Sequence, residues 1–162
     1  MVAAVLADGD LPYVLGPTVD EHGCLPDRTY LPELIDRIES TVGRAPLHWA
    51  LWCTHPEIAR RALERIGATH PDAHARIGQL KANGSSAHAD ARDGAQTVLC
   101  DPPEPWAATA IDVLRDHDLR IVGGCCGTDH RHLLSLAVRL CQTHPPRRRL
   151  HIGTGTDPAV DS

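Results

Sequence analysis

The 162-residue chain contains no phenylalanine, and its three tryptophans and two tyrosines bring the aromatic share to 3%. An interior of stacked aromatic rings is therefore excluded. Leu, Val, Ile and Ala must fill the core around a few tryptophans. Positive charge is also scarce: the formal net charge is −5, and the longest basic run is Arg147, Arg148 and Arg149. A chain without a basic stripe is a poor match for nucleic acid, which we exclude as the main partner. No apolar stretch approaches the roughly 20 residues needed to span a bilayer. The opening "MVAAVLADGDLP" has no basic segment ahead of its short apolar run, so neither a secretion signal nor a membrane anchor is expected. The expected location is cytoplasmic.

What is present is thiol. Six cysteines occur, and in a reducing compartment clusters of cysteine point to metal or catalysis more than to disulfides. The length suits one domain, able to bury roughly 70% of the surface of its unfolded chain. We place that domain at residues 1–145, with 146–162 as a loosely ordered tail lacking apolar periodicity.

Apolar runs alternate with amphipathic stretches along the domain. Strands are predicted at 11–19, 46–53, 75–83 and 119–126, and helices at 29–41, 54–70, 104–118 and 128–144. In the first helix Tyr30, Leu31, Leu34, Ile35 and Ile38 share one face. Thr54 reads as the cap of the second helix, and Thr128 or Asp129 as that of the fourth. The Gly-, Ser-, Asp- and Pro-rich segment 84–104 reads as a long loop of the kind that often carries function. Four strand–helix units in series predict an α/β fold with parallel strands, buried on both faces. Trp49 and Trp52, three apart in one strand, should face opposite sides.

The sheet's carboxyl rim is where such folds build their sites. Cys53 ends the second strand, and Cys125 and Cys126, in "RIVGGCCGTDH", end the fourth. Three thiols converging on one rim suit zinc, with a fourth position open as in catalytic sites. A redox pair or coincidence also fits the bare spacing, although adjacent cysteines make a strained disulfide. Gly124 and Gly127 would let the backbone turn sharply at the pair. Gly123 and Gly124 would let a substrate's polar groups approach the main chain. Asn83, ending the third strand, is either a substrate or ligand contact or an ordinary turn residue. Cys24, Cys100 and Cys141 read as small buried fillers, Cys24 lying nearest the rim. His55, His70, His88, His130, His132 and His144 read as solvated, with His55 best placed near a metal. Asp20 and Glu21 read as a solvated loop.

"GGCCGT" at 123–128 resembles the cysteine-pair signature of the homocysteine S-methyltransferase family. "WCTHPEIARRAL" resembles the segment carrying that family's first zinc cysteine, "VDEHGCLPDRTYLPELID" its loop and helix after the fifth strand, and "LKANGSS" its seventh-strand end. The matches fall in the family's order, from about residue 10 to 143. The resemblance implies a (β/α)8 barrel of which this chain matches the C-terminal half, four βα units. It also implies zinc held by Cys53, Cys125 and Cys126, and methyl transfer from a methyl donor to the thiol of homocysteine, giving methionine. The family's acidic anchors for the amino acid, on its first and fourth strands, have no counterpart here. Trp52 stands where the family has Asn. A half barrel leaves two strand edges bare, so a homodimer or a complementing half-barrel chain is expected. The alternative is a non-catalytic zinc-binding or interaction module that completes a barrel with another chain.

Overall fold

A computed structural model describes residues 2–87 and 96–143. The expected tail, His88 and His144 lie outside the described residues. The chain begins with helix α1 (Val2–Asp8), a short element that its isolated apolar run did not announce. The guanidinium of Arg44 supports its end, donating to the carbonyls of Leu6, Gly9 and Leu11. A cation beside the last carbonyls of a helix satisfies acceptors that have no partner within it.

Helix α2 (Leu31–Glu39) follows, with Leu31, Ile35 and Ile38 buried as their spacing predicts. Then come β1 (Trp49–Thr54), α3 (Pro56–Thr69) and the short α4 (Pro71–Ala75). The chain continues through β2 (Ile77–Ala82), α5 (Pro103–Asp116), β3 (Ile121–Gly124) and α6 (His130–Thr143). The strands form one parallel sheet in the order β1-β2-β3, with Leu51 opposite Leu80 and Leu80 opposite Val122. This is a mixed α/β architecture of alternating βα units around a small parallel sheet.

The strand expected at 11–19 is reduced to an extended segment. Tyr13, Leu15 and Pro17 accept backbone hydrogen bonds from Leu47, Ala50 and Trp52, yet Leu15–Trp49 is the one parallel bridge. The next residue in phase is Pro17, which has no amide hydrogen to extend the ladder. The cap of α3 also differs from expectation. His55, not Thr54, fills it, its Nδ1 accepting from the amide of Glu57 at 3.2 Å. The Thr54 hydroxyl is engaged instead with the Trp52 carbonyl and the Val19 amide.

The core lies on one face of the sheet. Trp49, Leu51 and Leu80 are buried together with Leu63 and Ile66 of α3 and Trp106 and Val113 of α5. On the alternate positions Ala50 is buried, but Trp52 is 38% exposed, Ile121 46%, and Lys81 is exposed. The expectation that both faces are buried therefore fails at these last three positions. Polar Gln79 and Lys81 already interrupt the apolar run of β2 on that face. The two tryptophans do divide as predicted, Trp49 inward and Trp52 outward. Trp52 lies over Gly16, where any Cβ would collide with its ring, and the Lys81 ammonium sits 5.7 Å from its ring centre.

Candidate metal centre

Cys53 occupies the next-to-last position of β1, and its backbone leaves the strand conformation there. Its φ is +54°, and the register with β2 slips between Trp52 and Thr54. A bulge of this kind re-aims a side chain at a strand end, and a non-glycine residue with positive φ marks a position held by its surroundings. The restraint comes from β2's end. The Asn83 amide nitrogen lies 3.5 Å from both the Cys53 sulfur and the Cys53 carbonyl, and the Asn83 backbone N–H donates to Thr54. Asn83 itself is buried, its Oδ1 accepting from the Ser85 amide and its carbonyl accepting from Trp106 Nε1 at 2.9 Å.

Cys125 and Cys126 sit on a tight turn just past β3. The Cys125 amide donates to the Ala82 carbonyl at 2.7 Å, extending the sheet by one bond, and the Cys125 carbonyl accepts from the Thr128 amide and hydroxyl. Gly127 takes φ +76°, the left-handed turn expected of it. The reason for Gly124 differs from expectation. It does not adopt positive φ; a Cβ there would run into the Thr128 hydroxyl that closes the turn. At Gly123, by contrast, nothing lies within 4 Å of where a Cβ would be, so its main chain is open to approach.

The three sulfurs of Cys53, Cys125 and Cys126 all lie within 4.8 Å of one another, and the Cys125 and Cys126 sulfurs are 4.0 Å apart. Tetrahedral zinc with Zn–S bonds of about 2.3 Å places its sulfurs roughly 3.8 Å apart. Triangle size and donor type thus fit that ion with small adjustment. Partial burial pushes the Cys53 thiol up, but hydrogen bonds from Cys126, Asn83 and Cys125 outweigh it, and its pKa falls below the ordinary thiol value. Cys126, donating to Cys53 and beside the charge of both neighbouring thiols, is pushed up to about 11. A cation held by the three sulfurs would displace the thiol protons.

A cavity of about 490 Å³ opens beside Cys53, lined in part by Thr18, Asp20, Glu21, Cys24, Asn83 and Ser85. Asp20, expected to be solvated, shapes this wall. Its carboxylate accepts the amides of His22 and Cys24, holding the loop after the first extended segment. The three remaining cysteines are not buried fillers. Cys24 is half-buried on the cavity wall, and Cys100 and Cys141 are exposed. Two histidines also depart from expectation, since His55 and His132 are buried. His55 does not join the thiols; its Nε2 faces Asp101 Oδ2 at 3.1 Å. Among the described residues no helix is long and apolar enough to cross a membrane.

A family model described as homocysteine S-methyltransferase matches residues 1–140. No curated protein and no solved structure matches the chain.

Proposed function

The chain belongs to the homocysteine S-methyltransferase family, and we propose that it binds one zinc ion through Cys53, Cys125 and Cys126 and transfers a methyl group to homocysteine, giving methionine. The observation that carries this reading is the triangle of three thiols on one rim of the sheet. When bound, zinc would keep a substrate thiol in its nucleophilic thiolate form at neutral pH. In the reaction the homocysteine sulfur forms a bond to the methyl carbon while the donor–methyl bond breaks, its electron pair staying with the donor. The thiol proton passes to solvent.

The protein's own residues have separate tasks in this reading. Asn83 steadies Cys53 through its sulfur and carbonyl. Gly123 leaves main chain accessible to the polar groups of the substrate, and the adjoining cavity has room for an amino acid. We further read the fold as four βα units of an eight-unit barrel, spanning a domain at 1–145. Support comes from the parallel order of the strands, the helices gathered over one sheet face, and exposed Trp52, Lys81 and Ile121 where a barrel interior would lie. A second copy or a complementing chain would then close the barrel, and a reducing cytoplasm would keep the thiols available.

The test is zinc content per chain, with solution mass, on reduced protein and on Cys126→Ala. One zinc per wild-type chain, lost in Cys126→Ala, is expected. Full zinc occupancy in a variant lacking all three cysteines refutes the assignment.

A further inference from the structure

The two parts of the thiol cluster come from distant segments, and one loop residue touches the support of both. Asp101 precedes α5. Its carboxylate Oδ2 lies 3.1 Å from Nε2 of His55, two residues after Cys53. The Nδ1 of His55 accepts from the Glu57 amide, so the ring's other nitrogen, Nε2, is the one beside that carboxylate. The carbonyl of Asp101 accepts from Nε2 of His132 at 3.0 Å, in the first turn of α6 behind Cys126. The amide of Asp101 donates to the Gly84 carbonyl at 2.6 Å, and the Gly84 amide in turn donates to the Cys126 carbonyl at 2.8 Å. His132 is fixed from its other side by the Asp129 amide, which donates to its Nδ1 at 3.2 Å, and its ring packs edge-on against Trp106 at 5.3 Å between centroids. Both imidazoles are buried, while the Asp101 side chain that meets His55 is half-buried.

We propose that Asp101 is a positioning residue of the metal centre: its side chain and main chain lock the Cys53 segment to the Cys125–Cys126 turn and so set the size of the thiol triangle. The inference rests on the zinc reading above. Asp101 touches no thiol and acts through His55, Gly84 and His132. Only its contact to His55 depends on the side chain, and this makes the claim separable. Asp101→Ala removes that contact, while Asp101→Asn keeps an oxygen of the same reach beside His55. Partners that orient metal-binding groups in this way typically change metal affinity by roughly 10–100-fold when removed.

The experiment titrates cobalt(II) alone into reduced full-length protein, reading the thiolate-to-cobalt absorption, with thermal melting of each metal-free variant alongside. Wild type should saturate at one equivalent with the intensity of three thiolates. Asp101→Ala should bind roughly 10–100-fold more weakly, with a changed spectrum at saturation, and Asp101→Asn should restore most of the affinity. Wild-type affinity and spectrum in a folded Asp101→Ala overturn the inference and leave the zinc reading standing. Weakened binding that follows only a lowered melting point, with the spectrum unchanged at saturation, also overturns it. Absence of cobalt absorption in wild type overturns the zinc reading, and the inference falls with it.

Discussion

Past the end of β2, Gly84 packs against the Gly127 backbone of the cysteine turn, and replacing Gly84 with alanine tests whether that contact sets the site. A Cβ at Gly84 would lie 2.5 Å from the Gly127 carbonyl oxygen and 2.6 Å from its carbonyl carbon. Both are backbone atoms of a turn already committed to φ +76°, and the far side of Gly127 meets the Leu99 carbonyl. No flexible side chain is available to swing aside, so the two backbone segments must part. Overpacking of this kind costs about 1–3 kcal/mol. The displacement also strains the Gly84 amide's bond to Cys126 and the Gly84 carbonyl's bond from Asp101, each worth on the order of 1 kcal/mol net. We therefore expect Gly84→Ala to lose roughly 2–4 kcal/mol of stability. Its cobalt affinity should fall at least about tenfold as the Cys126 carbonyl moves. Gly43→Ala is the control: nothing lies within 4 Å of its Cβ position and its φ is not positive. Urea denaturation of the reduced, metal-free proteins, followed by cobalt titration, measures both quantities. If Gly84→Ala matches Gly43→Ala in midpoint and in affinity, the close approach is not what holds the rim together.

The two faces of the sheet should respond differently to truncation. Leu80→Ala, fully buried in the central strand, should lose about 2–5 kcal/mol in chemical denaturation, and Trp52→Ala less than half of the Leu80→Ala loss because its ring is already partly in water. Equal losses would contradict a one-sided core. His74 and His117 face each other at 3.1 Å, and burial lowers both pKa values from 6.5. Proximity to His74 and Arg60 lowers His117 further, against the opposing pull of Glu64 and Asp116. Protons therefore bind the unfolded chain more readily, so stability is level above about pH 6.5 and falls as pH drops below it. His74→Gln should flatten that fall, and an unchanged profile in a series of melts from pH 7.5 to 5.5 would refute the assignment. Cys100→Ser and Cys141→Ser, both exposed and apart from the cluster, should leave zinc stoichiometry unchanged by elemental analysis.

The sequence carried the order of the elements well, because apolar spacing is a local property. The α2 face of Leu31, Ile35 and Ile38 is visible in nine residues, and the strand ends expected at Cys53 and Cys126 fall within two residues of those observed, Thr54 and Gly124. The segment 11–19 misleads for an equally local reason. Its short apolar run reads as a buried strand, but a ladder is built from amides, and Pro17 offers none. The open face of the sheet was hidden in the same way. Lys81 and Gln79 looked like interruptions of a strand buried on both sides, whereas they and Trp52 mark the face that the helices do not cover.

At the site, residue identity and residue geometry separate. The three thiols were legible because cysteine at the ends of parallel strands converges by topology alone. What brings their sulfurs within 4.8 Å was not. The left-handed backbone of Cys53 has no residue signature, since nothing about a cysteine in "WALWCT" announces positive φ. It depends on Asn83, which sits 30 residues further along the chain. His55 and His132 carry polar rings and lie at helix starts, the features of solvated residues. They are buried because Asp101 meets both across separations of 46 and 31 residues. A single sequence exposes the atoms that can bind a cation. The distances between those atoms are fixed by long-range contacts among polar residues, which leave no periodic trace. The thiol cluster could therefore be named from the motif, whereas the loop that sets its dimensions emerged only from the fold.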